Sequence, residues 1–182
     1  MPRLFLHTAL LVAIAVPSLQ AAPQAAAPST ASPASSTVLT AAEAGKVLPS
    51  AVFFQGQSAP VQARNSAGIR FAKDSFLLAA LVDNSGYSSQ VQQKYQAYLI
   101  TEEPVVIGGH RLAPGAYGCG FVAGDKFLVM DIGGHDLFSV SSAKDATMRR
   151  PMPLQIVSAP NGNHRYRLHS GRTFVEIALT GR

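Results

Sequence analysis

The chain has 182 residues, of which 15 are Lys or Arg and 10 are Asp or Glu, so its formal net charge is +5. Its single cysteine, Cys119, excludes a fold held together by intrachain disulfides, and the protein must depend on its hydrophobic core. A mild positive charge indicates only that anionic partners are accessible to it.

The first 21 residues predict a secretory signal peptide. Arg3 gives a positive start, residues 4–16 are almost wholly apolar, and small residues follow at Ala21. The run is shorter than the roughly 20 residues that cross a bilayer. We favour cleavage over an uncleaved anchor, although Leu19 lies where a small residue is preferred. We expect a periplasmic or secreted protein with no transmembrane span after cleavage and no nucleic-acid partner.

Residues 22–43 predict a flexible tether, because Ala, Pro, Ser, Thr and Gln dominate and bulky apolar groups are scarce. Residues 44–182 have the usual length of one domain and are enough to enclose a core. We therefore expect a signal (1–21), a tether (22–43) and a single β-rich domain (44–182).

Short strand patterns begin this domain. The run 47–55 predicts a strand that starts after Pro49. Two short alternating runs, 61–64 and 69–71, are separated by Asn-Ser-Ala-Gly, which is typical of a turn. The continuous apolar run 76–82 has the length of a strand, and predicts one that is buried on both faces.

The segment 88–100 fits both a helical face and a less regular alternation. We favour a strand from about Gln92 to Thr101, preceded at most by a short helical turn.

From residue 105 onward turn signals recur every six to ten residues, at Gly108-Gly109, Pro114-Gly115, Gly124-Asp125, Gly133-Gly134, Asn161-Gly162 and Ser170-Gly171. This rhythm predicts an antiparallel meander, with a last hairpin that joins residues 165–168 to 173–179. We predict an all-β fold, an antiparallel β-sandwich or partly open barrel of about nine or ten short strands, and prefer the sandwich.

Tyr117, Cys119 and Phe121 alternate with Gly118 and Gly120. A strand face without side chains lets an aromatic ring or another backbone approach closely. We expect such packing here, and expect Cys119 to be a small buried apolar residue.

The tetrapeptide Ile-Gly-Gly-His occurs twice and ends at His110 and His135. If the two turns converge, both imidazoles could bind zinc or another divalent metal, with Asp131 or Asp136 as the oxygen ligand. Zinc sites usually take two ligands from one turn or one helical face. We therefore interpret the motif first as two tight hairpin turns, and predict no other cofactor.

Arg165, Arg167 and His169 share one parity of a strand, and Arg172 follows the next turn. We interpret them as a cationic face toward solvent, with Arg165, Arg167 and Arg172 as candidate contacts for an anion or a partner. Export makes an envelope protein, anionic lipid or polysaccharide accessible.

The segment Ile107-Gly108-Gly109-His110-Arg111-Leu112-Ala113-Pro114-Gly115-Ala116-Tyr117 joins a Gly-Gly hairpin to a Leu-x-Pro-Gly-x-Tyr turn and a core strand. It resembles a short sequence pattern found in exported bacterial β-sandwich domains of unknown function. The resemblance implies a bacterial envelope context and a sandwich, and brings no catalytic residue.

The sequence has no Gly-x-Ser-x-Gly elbow, and its carboxylates are too scattered to nominate an acid–base pair. We therefore predict a non-catalytic binding or interaction module of the bacterial envelope. Two alternatives stay open: a metal-dependent hydrolase that uses His110 and His135, and a carrier of a small apolar ligand in an internal cavity.

Overall fold

The computed structural model describes residues 36–72, 75–160, 162 and 164–180. The predicted signal peptide (1–21) lies outside them, as does the predicted tether as far as residue 35. The helices are α1 (Ala41–Val47) and α2 (Ser89–Lys94). The fourteen strands of the described residues are β1 (Thr37–Leu39), β2 (Ala51–Phe54), β3 (Gln57–Ala72), β4 (Ser75–Val82), β5 (Ala97–Thr101), β6 (Val105–Ile107), β7 (His110–Leu112), β8 (Gly115–Val122), β9 (Lys126–Met130), β10 (Asp136–Ser141), β11 (Ala143–Lys144), β12 (Gln155–Ser158), β13 (Arg165–Ser170) and β14 (Thr173–Leu179).

Antiparallel pairing assembles these strands into two sheets. The large sheet has the order β1-β3-β4-β5-β8-β9-β10, with β2 paired to β3, and the small sheet has the order β12-β13-β14-β6-β7, with β11 paired to β14. Apolar side chains of both sheets form one core cluster. The predicted all-β, sandwich-like class is confirmed. The strands outnumber the nine or ten predicted because several have only two to four residues.

A second layer covers the other face of the large sheet. We call the hairpin of residues 51–60 the arm. It joins α2 over a second cluster that consists of Val52, Phe54, Ala59, Val82, Tyr87, Tyr95, Tyr98, Leu128 and Met130. The large sheet is therefore apolar on both faces. In β4 the second face is covered by the arm at Val82 and by β1 and α1 at Leu78, which explains its continuous apolar run.

The glycines of β8 make this second layer possible. A Cβ at Gly118 would lie 3.0 Å from Cζ of Phe54, and a Cβ at Gly120 would lie 3.1 Å from the carbonyl carbon of Lys94. The predicted close approach to the two glycines is confirmed: an aromatic ring covers one and the end of α2 covers the other.

The predicted turn at residues 65–68 is wrong. β3 runs through these residues without interruption, and its register with β4 shifts between Val61 and Ser66. The Ser66 hydroxyl donates to the carbonyl oxygen of Ala63 at 2.6 Å. The polar side chain therefore bonds within its own strand at an irregularity, instead of reversing the chain.

The predicted boundary at residue 43 falls inside α1. Thr40 caps this helix: its N–H donates to the carboxylate of Glu43 at 2.8 Å, while its hydroxyl accepts the N–H of Glu43 at 3.3 Å. Ala44 is fully buried beside Leu78 of the large sheet. Among the described residues, regular structure is thus already present at β1, before the predicted boundary.

The segment 88–100 divides between α2 and β5. The hydroxyl of Ser88 accepts the N–H of Val91 and caps α2, so the strand expected from about Gln92 starts only at Ala97. No helix of the described residues is long and apolar enough to span a bilayer.

The last hairpin has the register that its alternation predicts. Tyr166 pairs with Ile177 and Leu168 pairs with Val175, and all four side chains lie in the core between the sheets. The other parity of β13, which carries Arg165, Arg167 and His169, therefore points away from the large sheet. We call this side the outer face of the small sheet.

Candidate functional site

The two Ile-Gly-Gly-His segments both form turns, but of different kinds. Gly108 and Gly109 make the two-residue link between β6 and β7, and both have positive φ, at 53° and 91°. Gly133 and Gly134 belong to the wider link between β9 and β10, where the N–H of Gly134 donates to the carbonyl oxygen of Asp131 at 3.0 Å. The interpretation of the repeat as two turns is confirmed.

In the second turn an aspartate and a histidine form a local pair. The carboxylate of Asp131 accepts the backbone N–H of His135 at 2.9 Å and lies 2.9 Å from its Nδ1. These hydrogen bonds, the backbone one first, lower the pKa of Asp131. The imidazole is largely exposed, so the pair closes a surface turn.

The other two candidate metal ligands have partners elsewhere. The ring of His110 stacks on Phe138 with centroids 4.8 Å apart, and the carboxylate of Asp136 accepts a hydrogen bond from Lys94 at 2.7 Å. No group of three His, Cys, Asp or Glu side chains in the described part of the chain is arranged to hold a metal ion. The two turns thus do not assemble the expected ligand set there, and the hydrolase alternative gains no support.

One serine lies near an imidazole. Ser36 Oγ is 3.3 Å from Nδ1 of His164 and 2.5 Å from the hydroxyl of Tyr166. A nucleophilic triad also needs an acid that orients the imidazole. Within residues 36–72, 75–160 and 164–180 no carboxylate is paired with His164, so these side chains form a surface hydrogen-bond group.

A shallow cleft opens where the arm meets α2 and the second Gly-Gly turn. Its volume is about 200 Å³, and it is lined by Phe54, Gln55, Gln90, Val91, Lys94, Met130 and Gly134. Lys94 is its only charged lining residue, and the ammonium group is already bound by Asp136. Small-molecule sites usually exceed about 300 Å³ and carry free polar groups that orient the ligand. The cleft therefore indicates no ligand class.

One small cavity lies in the core between the sheets. A cavity bordered by Leu81, Cys119, Phe127, Leu154 and Leu168 holds only about 10 Å³, which is the room for one water molecule at most. This space cannot accommodate an apolar ligand. Cys119 is fully buried as predicted, and burial raises the pKa of its thiol to about 12.

Two of the three candidate arginines lie beside acidic residues. Arg165 is 3.8 Å from the carboxylate of Glu176, and Arg167 is 3.8 Å from the same residue and 3.9 Å from Asp145. The guanidinium of Arg167 also lies 4.3 Å from the centroid of the Phe174 ring. The cationic face expected of the last hairpin is thus partly neutralised.

The prediction that His169 faces solvent is wrong, because this side chain is fully buried. The connection between β11 and β12, residues 145–154, which we call the strap, lies beside His169: Asp145 is 3.9 Å from Arg167, and the sulfur of Met148 accepts a hydrogen bond from Gln155, the residue paired with His169 on β12. Neither ring nitrogen has a hydrogen-bond partner in the described structure. Burial lowers the pKa of His169, whereas Asp145 acts in the opposite direction and Arg167 reinforces the effect of burial.

The strap is attached to the turn between β13 and β14. The N–H of Asp145 donates to the carbonyl oxygen of Arg172 at 2.8 Å, and the N–H of Gly171 donates to the carbonyl oxygen of Met152 at 2.9 Å. Nε of Arg172 donates to the carbonyl oxygen of Met148 at 3.3 Å. These bonds hold the third candidate arginine against the strap.

A group of unpaired cations results, whose proximity to one another the sequence left open. Arg149 and Arg150 of the strap and Arg172 of the turn are exposed, and within the described residues none has a carboxylate within 4.0 Å. We call these three residues the basic surface. The pair Arg149-Arg150 is a visible sequence signal, but its place beside Arg172 depends on the path of the strap.

Comparisons with protein-family models, curated proteins and solved structures returned no match.

Proposed function

We propose that the protein is a non-catalytic, exported binding module that contacts an anionic component of the bacterial envelope through the basic surface. The signal-like start and the tether-like composition of residues 22–43 support export. The sequence pattern at residues 107–117, which resembles exported bacterial domains, supports an envelope context. The observation that carries the proposal is the gathering of Arg149, Arg150 and Arg172, whose charges are not neutralised by neighbouring acids.

The chemistry of the basic surface favours phosphate. Arginine presents planar, paired N–H donors that match phosphate oxygens, and it keeps its charge at any physiological pH. The carbonyl oxygen of Met148 fixes one of these guanidinium groups through Nε of Arg172, which leaves its terminal nitrogens to face solvent.

The expected affinity is modest. A cation near an anionic membrane surface contributes about 1 kcal/mol, so three contribute about 3 kcal/mol, or roughly a hundredfold enrichment at the surface. Such binding weakens as added salt shortens the Debye length from roughly 10 Å at 0.1 M. Phosphate groups displayed densely on a lipid layer or a phosphorylated polysaccharide fit this mode better than a single soluble anion.

The test is cosedimentation of the mature chain with vesicles of phosphatidylethanolamine that contain 30% phosphatidylglycerol, at several salt concentrations. A second arm uses purified phosphorylated envelope polysaccharide, which separates a lipid source of phosphate from a polysaccharide source. The test variant is Arg149→Glu/Arg150→Glu/Arg172→Glu. We expect it to lose at least tenfold in binding to whichever source retains the wild-type protein.

The matched control is Lys46→Glu/Arg64→Glu/Arg111→Glu, which reverses three exposed cations elsewhere on the domain and gives the same net charge. It should retain most of the binding. Equal losses in the two triple variants would show that only net charge matters, and failure of the wild-type chain to bind in both arms would overturn the proposal.

A further inference from the structure

Beside the strap lies a group of buried polar atoms without a hydrogen-bond partner in the described structure. Both ring nitrogens of His169 and Nε of Arg167 are buried without a hydrogen bond within the described residues. The ring of Phe174 lies 5.1 Å from the imidazole, and Gln155, the residue opposite His169 on β12, donates its side-chain N–H to the sulfur of Met148 in the strap. The fully buried imidazole thus lies between neighbours on β12 and β14, and the strap contacts the first of these neighbours.

This closed arrangement is unfavourable for a positive charge. A buried polar group without a partner costs about 1–3 kcal/mol even when it is neutral, and a charged one costs more. Leu154 anchors the end of the strap in the core between the sheets. Before it, the strap is held by two backbone hydrogen bonds to the β13–β14 turn, by the bond from Arg172, by the bond from Gln155 to Met148, and by an ion pair at 3.9 Å between Asp145 and Arg167.

We propose that the strap is a pH-sensitive cover, which closes over a neutral His169 and opens when that imidazole becomes protonated. The opened state lets water solvate the imidazole and Arg167. It also adds the charge of the protonated imidazole to the outer face that already carries the basic surface. The opening does not depend on the proposed function, but its effect on anion binding rests on it.

The charged groups that face His169 are Asp145 from the strap and Arg167 from β13. From β12 and β14 the direct neighbours are Gln155 and Phe174, which do not titrate, while Glu176 of β14 lies on the same face and pairs with Arg167 at 3.8 Å. Asp145 favours protonation, while burial and Arg167 disfavour it more strongly, since the pKa of His169 is lowered overall.

The direction of the effect follows from linkage. The open strap leaves His169 near its ordinary pKa of about 6.5, whereas the closed strap lowers that pKa. As pH falls below about 6.5 the open form gains the proton first, so the closed form loses stability. Between pH 7.5 and 5.5 the equilibrium constant for opening should rise by up to about tenfold.

Hydrogen exchange of the strap amides, followed by mass spectrometry in the free protein, tests this directly. The wild-type protein is compared with His169→Phe at pH 7.5 and at pH 5.5, so that the intrinsic pH dependence of exchange cancels at each pH. The rate in wild type relative to the variant should rise by up to about tenfold at the lower pH. His135→Gln, a change at an exposed imidazole, should behave like wild type.

A relative rate that stays constant between the two pH values would overturn the proposal. If His169→Phe does not fold, NMR titration of the wild-type imidazoles decides instead. We expect the His169 ring to titrate below the ordinary histidine value, together with shifts of the strap amides. A titration near pH 6.5 without such shifts would refute the switch. Vesicles are absent from both measurements, so failure here is distinct from failure of the proposed function.

Discussion

The ring of Phe54 lies on the bare backbone of Gly118, so that a Cβ added to the glycine would meet the ring at 3.0 Å from Cζ. Phe54 is fully buried, and its other side stacks on Tyr95 with centroids 3.8 Å apart. The arm is therefore held to the large sheet by a ring that fits between a glycine and a tyrosine.

Gly118→Ala should destabilise the protein by about 1–3 kcal/mol, because the added methyl overpacks this contact. Without the ring, alanine would be favoured over glycine in a strand by about 0.5–1 kcal/mol. Urea denaturation measures the difference. Gly86→Ala is the control, since the nearest atom to its added Cβ is 3.9 Å away. In the double variant with Phe54→Leu, Gly118→Ala should cost much less free energy of unfolding than it does in the wild-type background. If the costs of the two substitutions were instead additive, the contact between the two residues would be contradicted.

Tyr95→Phe should leave the free energy of unfolding unchanged or raise it by up to about 1 kcal/mol, because the buried Tyr95 hydroxyl has no partner in the described structure. Tyr87→Phe is the matched variant. Its hydroxyl donates to the carbonyl oxygens of Phe54 and Gln57, at 3.0 and 3.2 Å, so its loss should cost about 1 kcal/mol. Denaturant titration of both variants checks the contrast, and equal costs would contradict it.

The thiol of Cys119 should be inert in the native protein. The side chain is fully buried and its pKa is raised to about 12 by burial, so at pH 8 there is almost no thiolate and no access to it. Reaction with a disulfide reagent should therefore follow global unfolding, and its rate should rise with urea as unfolding does. A native rate close to that of free cysteine would refute this burial.

Asp131→Asn should flatten the acid dependence of stability. The N–H of His135 lowers the pKa of Asp131 in the folded state, so the ionised carboxylate stabilises the fold above the unfolded value of about 3.9. That contribution is lost as pH falls through the folded pKa. Melting temperatures between pH 2 and 6 measure the slope. His135→Ala keeps the backbone N–H that bonds to Asp131, so this variant should retain most of the pH dependence of the melting temperature. If its slope were instead as flat as that of Asp131→Asn, the effect would belong to the imidazole.

The inward-facing parts of the sandwich were predictable from alternation. In the last hairpin apolar residues recur at every second position of each strand, at Tyr166 and Leu168 and at Val175 and Ile177, and this alternation predicts the observed register. The run of β4 is apolar at both alternating sets of positions, so it predicts cover on both faces without showing that α1 and the arm supply it.

The residues on the opposite parity were harder to place. Alternation assigns His169 to the outer face, but whether that face meets solvent depends on a distant loop that crosses it. The strap contains Arg149, Arg150 and two prolines, a composition that is typical of a solvated loop. Its attachment rests on backbone hydrogen bonds, which no side-chain pattern reveals.

The position of β14 in the small sheet sets an order for folding. This strand pairs with β13, β6 and β11, so three segments of the sheet share one partner near the end of the described chain. β6 pairs with residues about 70 positions later in sequence, and contacts of such separation form slowly. When the chain is synthesised from its N-terminus, β6 and β7 cannot join the small sheet until β14 has been made. During that interval the β6–β7 hairpin is available for wrong strand pairing.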